Sequence, residues 1–288
     1  MSELETDSVF PIDESPQDVA SPASRSGDTV SALERGVAVL RCFTPEVRLL
    51  GNNDLARLTG IPKPTVTRLA VTLVSLGLLK RDSASDRFAL GPGVLSMSRS
   101  FLAGLDVRSC ARPRMAELAD WSGGAVYLGV RDGLEMVLIE ALRARSSILA
   151  PSLDVGSRVP LIDSALGRAY LGAIEQRELD QLLETIRLAR GSEWPRMASG
   201  LMAALDQGAA DGFCVSLGSW HREIHSVAVS LIGPKGEVMA LNCGGPSFQF
   251  PEARLRDEIA PRLARMAEQI ARDIGGSVGR WARKNPSR

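Results

Sequence analysis

The sequence predicts two domains, a small mainly helical unit followed by a larger α+β unit, and three observations support this. The chain has 288 residues, long for one core and comfortable for two. Helical periodicity dominates up to about residue 104, after which alternating apolar runs and turn signals are interspersed with long helical stretches. Charge is also partitioned. Met1 to Asp28 carries seven acidic residues and one basic, Leu33 to Ser100 carries ten basic and five acidic, and the whole chain has a formal net charge of zero. No run of about 18 apolar residues exists, so no membrane span is expected.

Residues 1–28, with Pro11, Pro16 and Pro22 among serines and acids, bury too little apolar surface to offset ordering entropy and are expected to form a disordered tail. They lack the basic and apolar segments of a secretory leader. Cys42, Cys110, Cys214 and Cys243 are far apart and form no CxxC pair, which suits reduced thiols in a cytoplasmic protein better than a disulfide or zinc framework.

The first domain is expected over 29–92. Leu33, Val37, Leu40 and Phe43 recur at helical spacing after the candidate N-cap Ser31. A second helix runs from about Asn53 to Thr59, with Leu55, Ala56 and Leu58 inward, and Gly60-Ile61-Pro62 breaks it. A third, from Lys63 to Leu76, places Val66, Leu69, Leu73 and Leu76 on one face and ends at Gly77. Leu78 to Arg81 and Arg87 to Leu90 flank a polar turn as a hairpin. Val94 to Gly104 is a connecting helix within a linker over 93–105, and the second domain spans 106–276, with 277–288 as a tail. That domain is expected to contain a helix over Asp106–Trp121 and strands at Ala125–Val130 and Leu134–Ala141. Helices follow at about 163–172, 175–190 and 196–210, then strands at Phe213–Leu217, Ser226–Ile232 and Val238–Cys243, and a closing helix from Glu252 to Ile274.

Two short helices across a tight glycine turn, followed by a basic hairpin, form a winged helix-turn-helix. Burying the apolar face of its second helix leaves Lys63, Thr65, Thr67, Arg68 and Thr72 toward solvent, where a major groove would receive them. Lys80, Arg81 and Arg87 on the wing are placed to neutralise phosphates. A solvated polar face on an ordinary helical hairpin is the simpler alternative, and the wing together with the local basicity favours DNA.

Catalytic chemistry finds little support. His221 and His225 are spaced four apart, but Arg222 stands where the glutamate of HExxH belongs, and no third ligand is evident. Gly218-Ser219-Trp220-His221 is not a nucleophile elbow, and no phosphate-cradling glycine loop occurs. No enzyme activity, metal or cofactor is expected. Pro160 to Gly167 reads as a strand-to-helix junction whose free N–H groups suit a carboxylate. Plain N-capping by Asp163 or Ser164 explains the same residues.

Taken in order, SALERGVAVL, DLARLTGIPKPTVTRLAVTLVSLGLL, VPLIDSALGRAYL, DGFCVS and SVAVSLIGPKGEVMALNCGGP resemble the IclR family of transcriptional regulators over residues 30–275. The resemblance implies a GAF-like effector domain, a homodimer or homotetramer, and double-stranded operator DNA with a palindromic site as partner. It also implies a small-molecule pocket that includes Ser164, Ala165, Ser216, Ser226, Asn242 and Gly244. The family often has His where Ile162 stands, and relatives that respond to small 2-oxo acids tend to place Asp near Ser216 and serines near Asn242 and Gly244. A roomier, less polar pocket follows, suited to an aromatic or otherwise bulky carboxylic acid. The function expected is a ligand-responsive repressor or activator of a catabolic operon. A GAF-like-domain enzyme and an architectural DNA-binding protein are the alternatives.

Overall fold

The structure is a computed structural model that describes residues 30–145 and 153–279. The segment 1–28, expected to be a disordered tail, lies outside the described residues. The chain divides into two units between Leu105 and Asp106.

The first unit begins with α1 (Ser31–Arg41), α2 (Asn52–Thr59) and α3 (Lys63–Ser75). The strands β1 (Leu79–Arg81) and β2 (Phe88–Leu90) and the helix α4 (Gly93–Ala103) complete it. Val39, Leu50, Leu55, Ile61, Val66, Ala70, Leu73, Leu79 and Phe88 form its core. Gly60 takes the left-handed conformation at φ +67, which lets the chain turn sharply from α2 into α3. The Asp54 carboxylate accepts the Gly51 N–H at 3.0 Å and closes the start of α2. The hairpin gains a third short partner, because Leu50 and Phe88 exchange backbone hydrogen bonds at 2.8 and 3.0 Å. The apolar face of α3 differs from the sequence expectation: Ala70 is buried, Leu69 is half-buried and Leu76 is exposed. The helix ends one residue earlier than expected, so Leu76 caps it from outside the periodic face. Likewise α1 stops at Arg41, and Leu33, expected inward, is exposed.

In the second unit a long helix, α5 (Asp106–Ser122), precedes the hairpin of β3 (Ala125–Asp132) and β4 (Glu135–Arg143). An edge strand β5 (Arg158–Pro160) leads into α6 (Ala165–Ala173), α7 (Gln176–Arg190) and α8 (Trp194–Asp211). Strands β6 (Cys214–Leu217), β7 (Ile224–Ile232) and β8 (Val238–Pro246) follow. The closing helix is not uniform: α9 (Glu252–Arg254) passes through a π segment (Leu255–Ile259) into α10 (Ala260–Ile274). The expected tail from 277 starts as structure instead, because β9 (Ser277–Val278) pairs with Leu231 and Ile232 of β7. All strands pair antiparallel in the order β5-β4-β3-β8-β7-β6, with β9 continuing along β7 beyond β6. Alternation splits the strand side chains between two faces. Tyr127, Leu138, Ala228 and Ala240 meet α6, α7 and α8, whereas Val126, Val227, Leu241 and Cys243 lie on the face that carries α5 and α10. This is an α+β architecture.

Candidate functional site

In the first unit the exposed side of α3 carries Lys63, Thr67, Arg68 and Thr72, while Thr65 is half-buried. Thr67 and Thr72 donate their hydroxyls to Lys63 O and Arg68 O, each at 3.0 Å, which leaves their methyl groups and oxygen lone pairs facing outward. Arg68, Lys63 and Lys80 make no ion pair among the described residues. The other wing cations are partnered. Arg81 pairs with Asp86 inside the hairpin, and Arg87 lies 4.0 Å from Asp54 and donates to Leu49 O at 3.5 Å. The Arg81–Asp86 contact holds the Arg81 guanidinium above and the Asp86 carboxyl below their ordinary values.

In the second unit a pocket opens between the sheet and the start of α6. Strand register explains which residues meet there. One row across four strands runs Ala125, Gly244, Ser226 and Ser216, and the next runs Tyr127, Asn242, Ala228 and Cys214. Of the residues implied by resemblance, Ser164, Ser216, Ser226, Asn242 and Gly244 line this cavity. Ala165 does not: its side chain is buried in the core, and only its backbone N–H lies at the helix start. Gly244 has its own packing reason, since a Cβ there would lie 2.4 Å from His225 O and 2.5 Å from the Ser226 Cβ. Tyr127, Leu138, Trp220 and Ile224 also line the pocket and were not singled out from sequence. Alternation along β3 opposite Asn242 is the signal that could have found Tyr127.

Polar groups in the pocket divide into committed and free. Ser164 donates to Pro160 O at 2.6 Å and accepts the Gly167 N–H at 3.0 Å, so the capping reading of this junction holds. The N–H groups of Ala165 and Leu166, ahead of it in the first turn, have no intrahelical acceptor by helix geometry. Ser216 donates to Asp163 O at 3.2 Å. Among the described residues the Ser226 hydroxyl makes no hydrogen bond, and the buried Asn242 Oδ1 has no partner. Among the described residues no charged side chain lines the wall. Asp163, half-buried beside it, is raised above the ordinary carboxylate range by burial, against the opposing pull of Arg190 and Arg168. Burial likewise lowers Arg168, whose Nε donates to Ile162 O at 2.9 Å. The Tyr127 phenol is pushed up to about 12 by burial, with Arg143 pulling the other way. The cavity has a volume of about 30 Å³.

His225 Nδ1 lies 2.9 Å from Phe250 O, and among the described residues no three His, Cys, Asp or Glu side chains cluster as metal ligands. No described helix is long and apolar enough to cross a membrane.

Residues 32–83 match the IclR helix-turn-helix domain, and residues 99–272 match the C-terminal domain of bacterial IclR transcriptional regulators. The chain belongs to the IclR family. It is 35% identical over 248 residues to the HTH-type transcriptional regulator TsaQ1/TsaQ2 of Comamonas testosteroni, covering 85% of this chain and 88% of that one. It is 26% identical to the Pca regulon regulatory protein of Pseudomonas putida, covering 91% and 92%. A solved IclR-family regulator from Brucella abortus is 41% identical, covers 88% of this chain and 96% of its own, and superposes with a TM-score of 0.79. Like other IclR proteins, this one is a transcriptional regulator with a DNA-binding helix-turn-helix and a C-terminal effector domain. The helix α3 therefore lies in the helix-turn-helix domain of an IclR regulator, and the pocket against α6 lies in its effector domain.

Proposed function

We propose that the protein binds a palindromic operator beside a catabolic operon as a homodimer or homotetramer in the cytoplasm, and that a carboxylic acid, aromatic or similarly bulky, modulates that binding. The observation that carries the DNA half is the exposed recognition face of α3, where Arg68 stands with no ion pair among the described residues and is free to take a guanine bidentately. Lys63 and the wing residues Lys80, Arg81 and Arg87 supply phosphate contacts, and Thr65, Thr67 and Thr72 supply hydroxyls and methyls.

The effector half rests on the chemistry of the pocket. An uncharged wall with Tyr127 and Trp220 suits an aromatic ring, and the first N–H groups of α6, at Ala165 and Leu166, suit a carboxylate. Ser226 and Asn242 have hydrogen-bonding capacity left for a polar substituent. The cavity as it stands holds only a few waters, so an acid of this size binds only if the wall rearranges.

Two measurements test this reading. Selection of genomic fragments bound by the purified protein at about 0.15 M salt should enrich a palindrome beside a catabolic operon. Absence of enrichment, with and without cell metabolites, contradicts it. In calorimetry, benzoate-type acids should bind, whereas tight binding of pyruvate or glyoxylate with none for aromatic acids overturns the effector assignment.

A further inference from the structure

The cations of the recognition face have a counterpart in the same chain. Met1 to Asp28 contains Glu3, Glu5, Asp7, Asp13, Glu14, Asp18 and Asp28 against the single Arg25. This segment joins the DNA-binding unit at Val30, at the start of α1, and α1 packs directly on α3. A unit of this size has a radius of gyration of about 11 Å. A chain of 28 residues reaches as far as about 90 Å, so every point of the recognition face lies within range of the segment. Tethering sets its local concentration in the millimolar range. On the other side, Lys63, Arg68 and Lys80 are exposed and make no ion pair among the described residues, while the neighbouring Arg81 is neutralised by Asp86.

We propose that the acidic segment Met1–Asp28 docks electrostatically on the recognition face formed by α3 and the wing, and competes there with DNA phosphates. The inference rests on the DNA-binding reading above and adds an internal competitor to it. A palindromic operator displaces the segment through base contacts as well as phosphates. Random duplex has only phosphates to offer, so the segment suppresses non-specific binding most. The contact is one of net charge and not of fixed pairs, because acids are spread along the segment with no fixed spacing.

The experiment compares the full chain with a chain starting at Thr29, using a random duplex as probe. Deletion should tighten binding about tenfold at about 50 mM salt, with the gain shrinking as salt rises. The salt slope should steepen by about 2–3, since each uncovered phosphate-binding cation adds about 0.9. Changing the seven acids to Asn or Gln should reproduce the deletion, and shuffling the segment's order should leave the full-length behaviour intact. Amine labelling locates the contact, because Lys63 and Lys80 lie on the recognition face and Lys235 is an exposed control on the other unit. Deletion should raise labelling of Lys63 and Lys80 severalfold and leave Lys235 unchanged. Unchanged DNA affinity overturns the proposal. Tighter DNA binding with unchanged lysine labelling also overturns it, because the segment would then repel DNA without docking. If no form binds any duplex, the DNA-binding reading fails, and the labelling alone decides whether the segment contacts this face.

Discussion

Glu140 sits on β4 facing α5, with its side chain 2% exposed, and receives Arg112 Nη1 at 2.8 Å and Arg108 Nη2 at 3.2 Å. The arginine side chains are 60% and 25% exposed, so solvent can reclaim them if the carboxylate loses its charge. The reverse does not hold, because a carboxylate buried behind α5 has no water to turn to. Breaking a buried pair by removing the partners of the buried member costs about 3–5 kcal/mol. For a unit of this size that lowers the Tm by about 6–20 °C, at about 2–4 °C per kcal/mol. The double change Arg108→Ala with Arg112→Ala should therefore fall in that range. Glu140→Gln keeps the shape and sacrifices only charge-assisted hydrogen bonds, at about 1–3 kcal/mol. Arg112→Ala alone should be the mildest, since Arg108 remains. Thermal melts of the three variants followed by circular dichroism give the ranking. A Glu140→Gln variant as damaged as the double arginine change would refute the reasoning, because burial of the carboxylate would then not be what decides.

Arg68→Ala should cost about 1–3 kcal/mol on the selected operator and relax base preference, measured by repeating the selection, and equal losses on random DNA would contradict its role as a reader. On the wing, Lys80→Ala should lower the salt slope by about 0.9 and Arg81→Ala by less, because Asp86 already neutralises Arg81. Asp86→Asn should accordingly strengthen binding to any duplex. Asp163 has a folded value above its unfolded one, so its contribution to stability is lost as pH rises through that raised value. Asp163→Asn should thus stabilise the protein at pH 7, with the gain vanishing below the ordinary carboxylate range, as read from urea midpoints across pH. Ser226→Val should fill the pocket and abolish binding of the acid found by calorimetry while leaving operator affinity unchanged.

Much of this architecture was legible because long periodic segments leave strong signals. The helix over Asp106–Ser122 and the hairpin of β3 and β4 stand close to where alternation and the Asp132-Gly133 turn put them. Short elements without a turn or junction beside them were not legible. Strand β5 was implied only by the strand-to-helix junction at Pro160, β9, of two residues, is too brief to show a period, and the Leu50–Phe88 bridge is one residue per side. The exposure of Leu76 was missed because hydrophobicity cannot say where α3 stops, and Ala70 packs inward where a larger residue was expected to matter. The bulge in β4 at Leu138–Glu140, which points Leu138 into the pocket and Glu140 toward α5, depends on pairing with β3 and has no local sequence mark. In the candidate site, Ser216, Ser226, Asn242 and Gly244 came from resemblance, and the register shows why they share a floor. Trp220 lies in a turn where no periodicity applies, so only the folded chain places it on the wall.

In a ligand-responsive regulator the ligand site and the DNA site are linked through a shared equilibrium. The most direct measurement is reciprocal titration: operator affinity with and without the acid selected by calorimetry, and acid affinity with and without operator. Coupling predicts a change of about 5–150-fold in operator affinity, and the same factor, by linkage, in acid affinity. Binding of both partners with neither affecting the other would contradict a ligand-responsive regulator and leave two independent sites on one chain.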